Sequence, residues 1–215
     1  MFMRNASLIS FIVGVLLCSS NVYAAEGDNY IDISYGITSQ TVDVKNSTAI
    51  SGISNTRTDD ESEGYALVVG ASFSENFAAE FSYINLGEME IIGDDVHDGF
   101  SLDGTEVQFT GAETITREIN GFGFGFATKT SGEGIQGALR AGAFWWDTTG
   151  TKADSTDSDT WVNSVLFDDG IDPYVGINLK YNFDRISIGA GYDAYGINSY
   201  EDTATLMSLS IGGIF

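Results

Sequence analysis

From Tyr30 onward, apolar side chains fall on every second position in eight separate runs. The first, Tyr30 to Val42, puts Ile31, Ile33, Tyr35 and Ile37 on one face, and Tyr65 to Phe73 does the same with Tyr65, Leu67, Val69 and Phe73. Phe77 to Leu86 aligns Phe77, Phe81 and Tyr83, while Ile119 to Thr128, "INGFGFGFAT", aligns Phe122, Phe124 and Phe126. Ile135 to Trp146, Tyr174 to Phe183, Ile186 to Tyr195 and Thr203 to Phe215 complete the set. A period of two marks a strand with unlike faces. The pattern predicts an all-β chain of eight strands.

The connections alternate in length. "SEN" at 74–76, "KTSGEG" at 129–134 and "NFDR" at 182–185 are short and polar, as hairpin turns require. Asp43 to Gly64, Gly87 to Arg117 and Thr148 to Asp172 are long, and Asn198 to Asp202 is a shorter fourth loop. Three tight turns at one end and four loops at the other predict an antiparallel up-and-down transmembrane β-barrel. A soluble lipocalin-like barrel has the same strand count with its apolar face turned inward. The polar face decides between them. It carries Gly121, Gly123 and Gly125, then Ala66, Gly70 and Ser72, then Ser208, Ser210 and Gly212, residues that suit a crowded interior.

Charge placement points the same way. Glu80, Arg140, Lys180 and Asp193 lie within the runs, opposite the aromatics. An Arg or Lys facing lipid at mid-depth costs about 2–4 kcal/mol, so these residues, with Asp32, are expected to form an interior ion-pair network. The last run then presents Met207, Leu209, Ile211 and Phe215 outward. Phe215 is expected in an interfacial aromatic girdle with Phe77, Phe183 and Phe73.

Residues 1–24 read as a cleaved secretory signal: Arg4, a short apolar core from Leu8 to Leu17, and small residues at Val22 and Ala24 before the cut. The barrel domain is assigned to 25–215. Cys18 is the chain's one cysteine and falls in the leader, so no disulfide is expected; Leu17 before it argues against lipidation. Composition agrees with long uninterrupted strands: 26 Gly, 14 Phe and 10 Tyr against one Pro in 215 residues. With 31 acidic and nine basic residues, the formal charge is −22. Nucleic acid is excluded as a partner, because its binding depends on Lys and Arg neutralising phosphates.

Several stretches resemble the OmpA-like family of eight-stranded outer-membrane barrels: "FAAEFSYINLG" at 77–87, "GALRAGAFWWDTTG" at 137–150 and "DPYVGINLKYNFD" at 172–184. The resemblance spans the assigned barrel domain. It implies a Gram-negative outer-membrane protein with lipid and lipopolysaccharide around it, and a C-terminal row ending in Phe215 that the barrel-assembly machinery reads. Two departures stand out. Family members often carry an Arg in the seventh strand where this chain has Gly189 and Ala190, and no peptidoglycan-binding domain follows Phe215.

Little else points to chemistry. His97 is the only histidine; with Asp95, Asp98 and Ser101 nearby it is read as incidental, and no enzyme activity or cofactor is expected. Acidic clusters at Asp59, Asp60, Glu61 and Glu63, at Asp94, Asp95 and Asp98, and at Asp154, Asp157 and Asp159 suit divalent cations or simply a solvated surface. "GFGFGF" lacks dinucleotide spacing, and Trp145, Trp146 and Trp161 are read as interfacial or loop anchors. The expectation is a monomeric structural protein of the envelope, with a narrow pore and a loop-mediated adhesin or receptor as alternatives.

Overall fold

The computed structural model describes residues 29–41, 45–46, 57–93, 99–102, 105–108, 113–130, 134–153, 169–197 and 202–215. The barrel strands are β1 (Tyr30–Thr41), β2 (Glu61–Ser72), β3 (Phe77–Gly93), β4 (Glu113–Lys129), β5 (Ile135–Ala153), β6 (Asp169–Phe183), β7 (Ile186–Ile197) and β8 (Asp202–Ile214). Each pairs antiparallel with the next, and β8 returns to β1 from Tyr30↔Ile214 to Thr41↔Thr203. At the seam the Phe215 N–H donates to the Asn29 carbonyl at 2.8 Å, and the Asn29 N–H returns a bond of 3.1 Å. The result is a closed eight-stranded antiparallel barrel. A short strand, Arg57–Asp59, extends the pairing along β3, and Lys45–Asn46, Gly99–Leu102 and Thr105–Gln108 form a small separate sheet.

Strand faces follow the predicted alternation near the tight turns. Ile33, Ile37, Phe124, Phe126, Leu139, Ile177, Ile188, Met207, Leu209 and Ile211 point outward and are exposed, while Asp32, Ser34, Ser72, Glu80, Ser208 and Ser210 are buried inside. Farther along, toward the loops, the pattern reverses. Ile115 and Ile119 of β4, Phe144 and Trp146 of β5, Tyr195 and Ile197 of β7, and Leu206 of β8 point inward and are buried. The outer face at that level carries Glu88 and Glu90 on β3, Asp147 on β5 and Asp169 on β6, all exposed. The barrel is thus apolar outside and polar inside near the turns, whereas toward the loops acidic residues appear outside and apolar residues join Arg117, Thr148 and Asp172 within.

This reversal explains why the strands run past their expected ends. β2 begins four residues before Tyr65, β3 continues to Gly93, β4 starts at Glu113, β5 reaches Ala153 and β6 starts at Asp169, so the loops are shorter than predicted. The apolar set changes face where the surroundings change, and the alternation in the sequence loses phase there. In β3 a bulge adds to the break: Asn85 pairs with Asn120 but Glu88 pairs with Glu118, so Leu86 and Gly87 oppose the single residue Ile119. Leu86 and Gly87 are both buried, and beyond them Met89 and Ile91 point inward.

Gly87 has φ +73°, and a Cβ there would stand 2.5 Å from the Glu63 carbonyl oxygen. The side-chain amide of Gln40 donates to the carbonyls of Leu86 and Gly87, both at 3.1 Å, holding the bulge from inside the barrel. A branched side chain meets both the backbone strain and the collision. Gly87→Val is expected to lower the unfolding free energy by about 1–3 kcal/mol, read as a lower urea midpoint of the refolded barrel. An unchanged midpoint would mean that the bulge relaxes at no cost.

Candidate functional site

The polar half of the lumen is built by inward side chains of all eight strands, Ser208 and Ser210 of β8 included. β3 supplies Glu80, β5 supplies Arg140 and β7 supplies Asp193. The Arg140 Nε–H donates to Glu80 Oε2 at 2.7 Å, and its Nη1–H to Asp193 Oδ1 at 3.3 Å. Tyr30 of β1 donates its hydroxyl to the other Glu80 oxygen, Oε1. Lys180 of β6 pairs with Asp32 of β1, and Ser187 Oγ stands 3.5 Å from the second Asp32 oxygen. The ammonium groups of Lys129 and Lys180 lie 4.9 and 5.0 Å from the centre of the Tyr30 ring, and Lys129 also donates to Ser72 Oγ at 2.7 Å. Cations set against an aromatic face are attracted by its quadrupole.

The five residues expected in an interior network therefore stand as a triad, Glu80–Arg140–Asp193, and a pair, Asp32–Lys180. Tyr30 joins them, by its bond to Glu80 and its contact with Lys180. Sequence reasoning passed over Tyr30 and Lys129. Tyr30 did carry a signal: it starts the polar face of its run, two residues before Asp32. The sequence pattern puts Lys129 first in a turn, whereas it is the last residue of β4. Counting these two lysines and Arg140 against Asp32, Glu80 and Asp193, the cluster is electrically balanced.

The glycines of the inner face are the seats of large groups. A Cβ on Gly70 would collide with the Tyr30 ring, and one on Gly176 with the Asp193 carboxylate. Above the charges the lumen is packed. Tyr174 stacks on Tyr195 with ring centroids 5.8 Å apart, Phe144 meets Tyr195 at 5.0 Å, and Ile84, Leu86, Ile119, Trp146, Ile197 and Leu206 join the same cluster. Trp146, expected as an interfacial anchor, is 1% exposed and donates its indole N–H to Asp172 Oδ2 at 2.9 Å. Its neighbour Trp145 is 62% exposed on the outer face. Adjacent residues of a strand face opposite sides, so only one of the pair can be an anchor. Arg117, expected near a loop, points into the packed half and is 1% exposed. Below the charged groups, a cavity of about 740 Å³ extends to the tight-turn end, where Glu75, Gly134 and Asp184 line it.

No family model matches the chain, and no curated protein sequence matches it. Solved structures do. The attachment invasion locus protein Ail of Yersinia pestis is similar over 88% of this chain and 99% of its own, with a TM-score of 0.53 and 12% identity. The outer membrane protein OprG of Pseudomonas aeruginosa is similar over 88% of this chain and 97% of its own, at TM-score 0.52 and 10% identity. At such identities the likeness is one of fold: an eight-stranded closed barrel. What fills the lumen must be read from this chain's own residues.

The remaining predicted residues are not part of the lumen. Met207, Leu209, Ile211 and Phe215 form an exposed outer row on and just beyond β8, and Phe73, Phe77 and Phe183 are exposed as well. Asp94, Asp95 and Asp98, with His97, Trp161 and the cluster at 154–159, lie outside the described residues. Among the described residues no three His, Cys, Asp or Glu side chains gather closely enough to hold a metal ion.

The triad generates a test. Removing one partner of a buried ion pair leaves the others uncompensated and costs about 3–5 kcal/mol, whereas replacing a whole group by neutral residues of similar size is often tolerated. Arg140→Ala should lower the unfolding free energy by that amount. Combining Arg140→Met with Glu80→Gln and Asp193→Asn should recover most of it. Urea titration of the refolded barrel reads both, and an Arg140→Ala variant as stable as the parent would remove the triad from what holds the barrel together.

Proposed function

We propose that the chain is an integral outer-membrane barrel of a Gram-negative envelope, with residues 1–24 removed as a signal peptide and a structural, non-enzymatic role for the sealed barrel. The belt of exposed Ile, Leu, Val and Phe around the turn-end half supports the membrane placement, since a water-soluble monomer rarely exposes so large a continuous apolar surface. Lipid and lipopolysaccharide are then its immediate surroundings, and the fold shared with Ail and OprG is consistent with that setting. The resemblance to the OmpA-like family supports it further. The exposed row Met207, Leu209, Ile211 and Phe215 is read as the signal engaged by the barrel-assembly machinery, and the monomer is the working unit.

The observation that carries the structural role over a pore is the packing of the lumen. The aromatic and aliphatic cluster around Phe144, Trp146, Tyr174 and Tyr195 lies directly over the Glu80–Arg140–Asp193 triad. An eight-stranded barrel has an interior just wide enough for side chains to fill or for one small ligand, and in the loop-end half of this barrel side chains fill it. Water and ions meet two successive obstacles, one charged and one apolar.

A second reading, a surface protein that engages a partner through its loops, is favoured by the extension of β3, β4 and β5 beyond the apolar belt, which raises a charged hairpin face above the membrane. Divalent cations at Asp94, Asp95 and Asp98 belong to this reading.

In a planar bilayer the refolded barrel is expected to be electrically silent. Discrete openings that change in Arg140→Ala would instead make it a channel. Cell fractionation should recover the full-length product in the outer membrane, and Phe215→Ser should reduce the assembled, heat-shifted form at unchanged synthesis. Recovery as a soluble periplasmic protein would overturn the membrane assignment.

A further inference from the structure

Of the pairings between barrel strands, only that of β8 with β1 joins strands that are not consecutive in the chain, and a charged contact crosses it on the inside. Lys180 stands on β6 and Asp32 on β1, so their ion pair passes over β7 and β8 to reach the first strand. We propose that the Asp32–Lys180 pair is a closing strap, which captures β1 against β8 and sets the rate at which the seam forms.

The wall is shaped for it. Gly212 of β8 is the register partner of Asp32, and Gly189 of β7 is that of Lys180. A Cβ on Gly212 would collide with the Asp32 carboxylate, and one on Gly189 would stand 2.8 Å from Lys180 Cγ. Each side chain therefore lies along the wall, over a glycine of the neighbouring strand. Ser187 of β7, on the far side of Gly212, brings its Oγ to 3.5 Å from Asp32 Oδ1 and holds the carboxylate partway along. The other interior contacts run elsewhere. The triad joins β3, β5 and β7, and Tyr30 reaches away from the seam, over Gly70 of β2 to Glu80 of β3. Of the two ties that β1 makes, the one through Asp32 crosses the seam.

Seam formation is the step that such a tie would speed. The remaining pairings unite neighbours in sequence, whereas the seam must bring the first and last strands together against loop-closure entropy. Opposite charges attract at separations where backbone groups cannot yet bond. Once the pair is made, β1 and β8 face each other at high effective concentration. The glycine also marks the register, because a slip of two residues would set Ser210 or Ile214 where Asp32 needs Gly212.

The test follows two engineered disulfides during refolding into lipid vesicles, in a Cys18→Ser background, sampled by pulses of a membrane-permeant oxidant. One spans the seam, Ile33→Cys with Ile211→Cys, and the other joins β5 to β6, Leu139→Cys with Ile177→Cys; the residues of each pair are directly opposed. Lys180→Met removes the charge and keeps most of the stem. It is expected to slow the seam disulfide about tenfold and to leave the β5–β6 disulfide at the parent rate, although the substitution lies on β6. A seam disulfide that forms as fast as in the parent would overturn the strap. Equal slowing or loss of both disulfides would make Lys180 a part of general packing and overturn it as well. Asp32→Asn cuts the same tie from the other strand and should repeat the result. Tyr30→Phe cuts the tie to β3 instead, and a seam as slow there as in Lys180→Met would also count against the strap.

Discussion

Closure of the hydrogen-bonded ladder is the constraint on which this molecule depends. Once β8 pairs with β1, each of the eight barrel strands has a neighbour on both sides, and together they enclose a lumen of fixed bore. Every inward residue must then share that bore with those across from it. Several large groups are seated where glycine faces them: Tyr30 against Gly70, Asp193 against Gly176, Trp146 against Gly170. The charged triad follows from the same economy of space, since a guanidinium long enough to span the lumen satisfies carboxylates on two other strands at once.

The bore also explains the division of the lumen. Near the turns the outside is apolar, so the polar side chains of each strand are confined within, where they neutralise one another. Near the loops the outside is charged, and the apolar set moves within to form a core of the kind found in soluble proteins. Two packing regimes are stacked end to end along the same strands. Tyr174 and Tyr195 stand at their junction, stacked on one another, with Phe144 packed against the Tyr195 ring.

That junction separates what the sequence made legible from what it did not. The turn-end half was readable, because its alternation is strong and its charges stand out on a face of Gly, Ala and Ser; Glu80, Arg140, Lys180, Asp32 and Asp193 could be placed inside from that contrast alone. The loop-end half was not, because an inversion of faces looks like the end of a strand. Trp146 shows the effect: adjacent to Trp145, it shares the belt in a linear reading, whereas the strand turns it inward. Arg117 ends the long segment from Gly87 in the sequence pattern, whereas it lies within β4 and points inward. The pairings themselves, Tyr30 with Glu80 above all, depend on the shear of the barrel, which no single strand encodes.

The bulge at Leu86 and Gly87 has a consequence for how this barrel can change over evolutionary time. It supplies the odd residue that turns Met89 and Ile91 inward. An insertion or deletion of one residue between it and Met89 would send that apolar pair into solvent and bring Glu90 within. The stretch from the bulge to Ile91 can therefore change length only in pairs of residues, whereas the arm beyond it is under no such constraint.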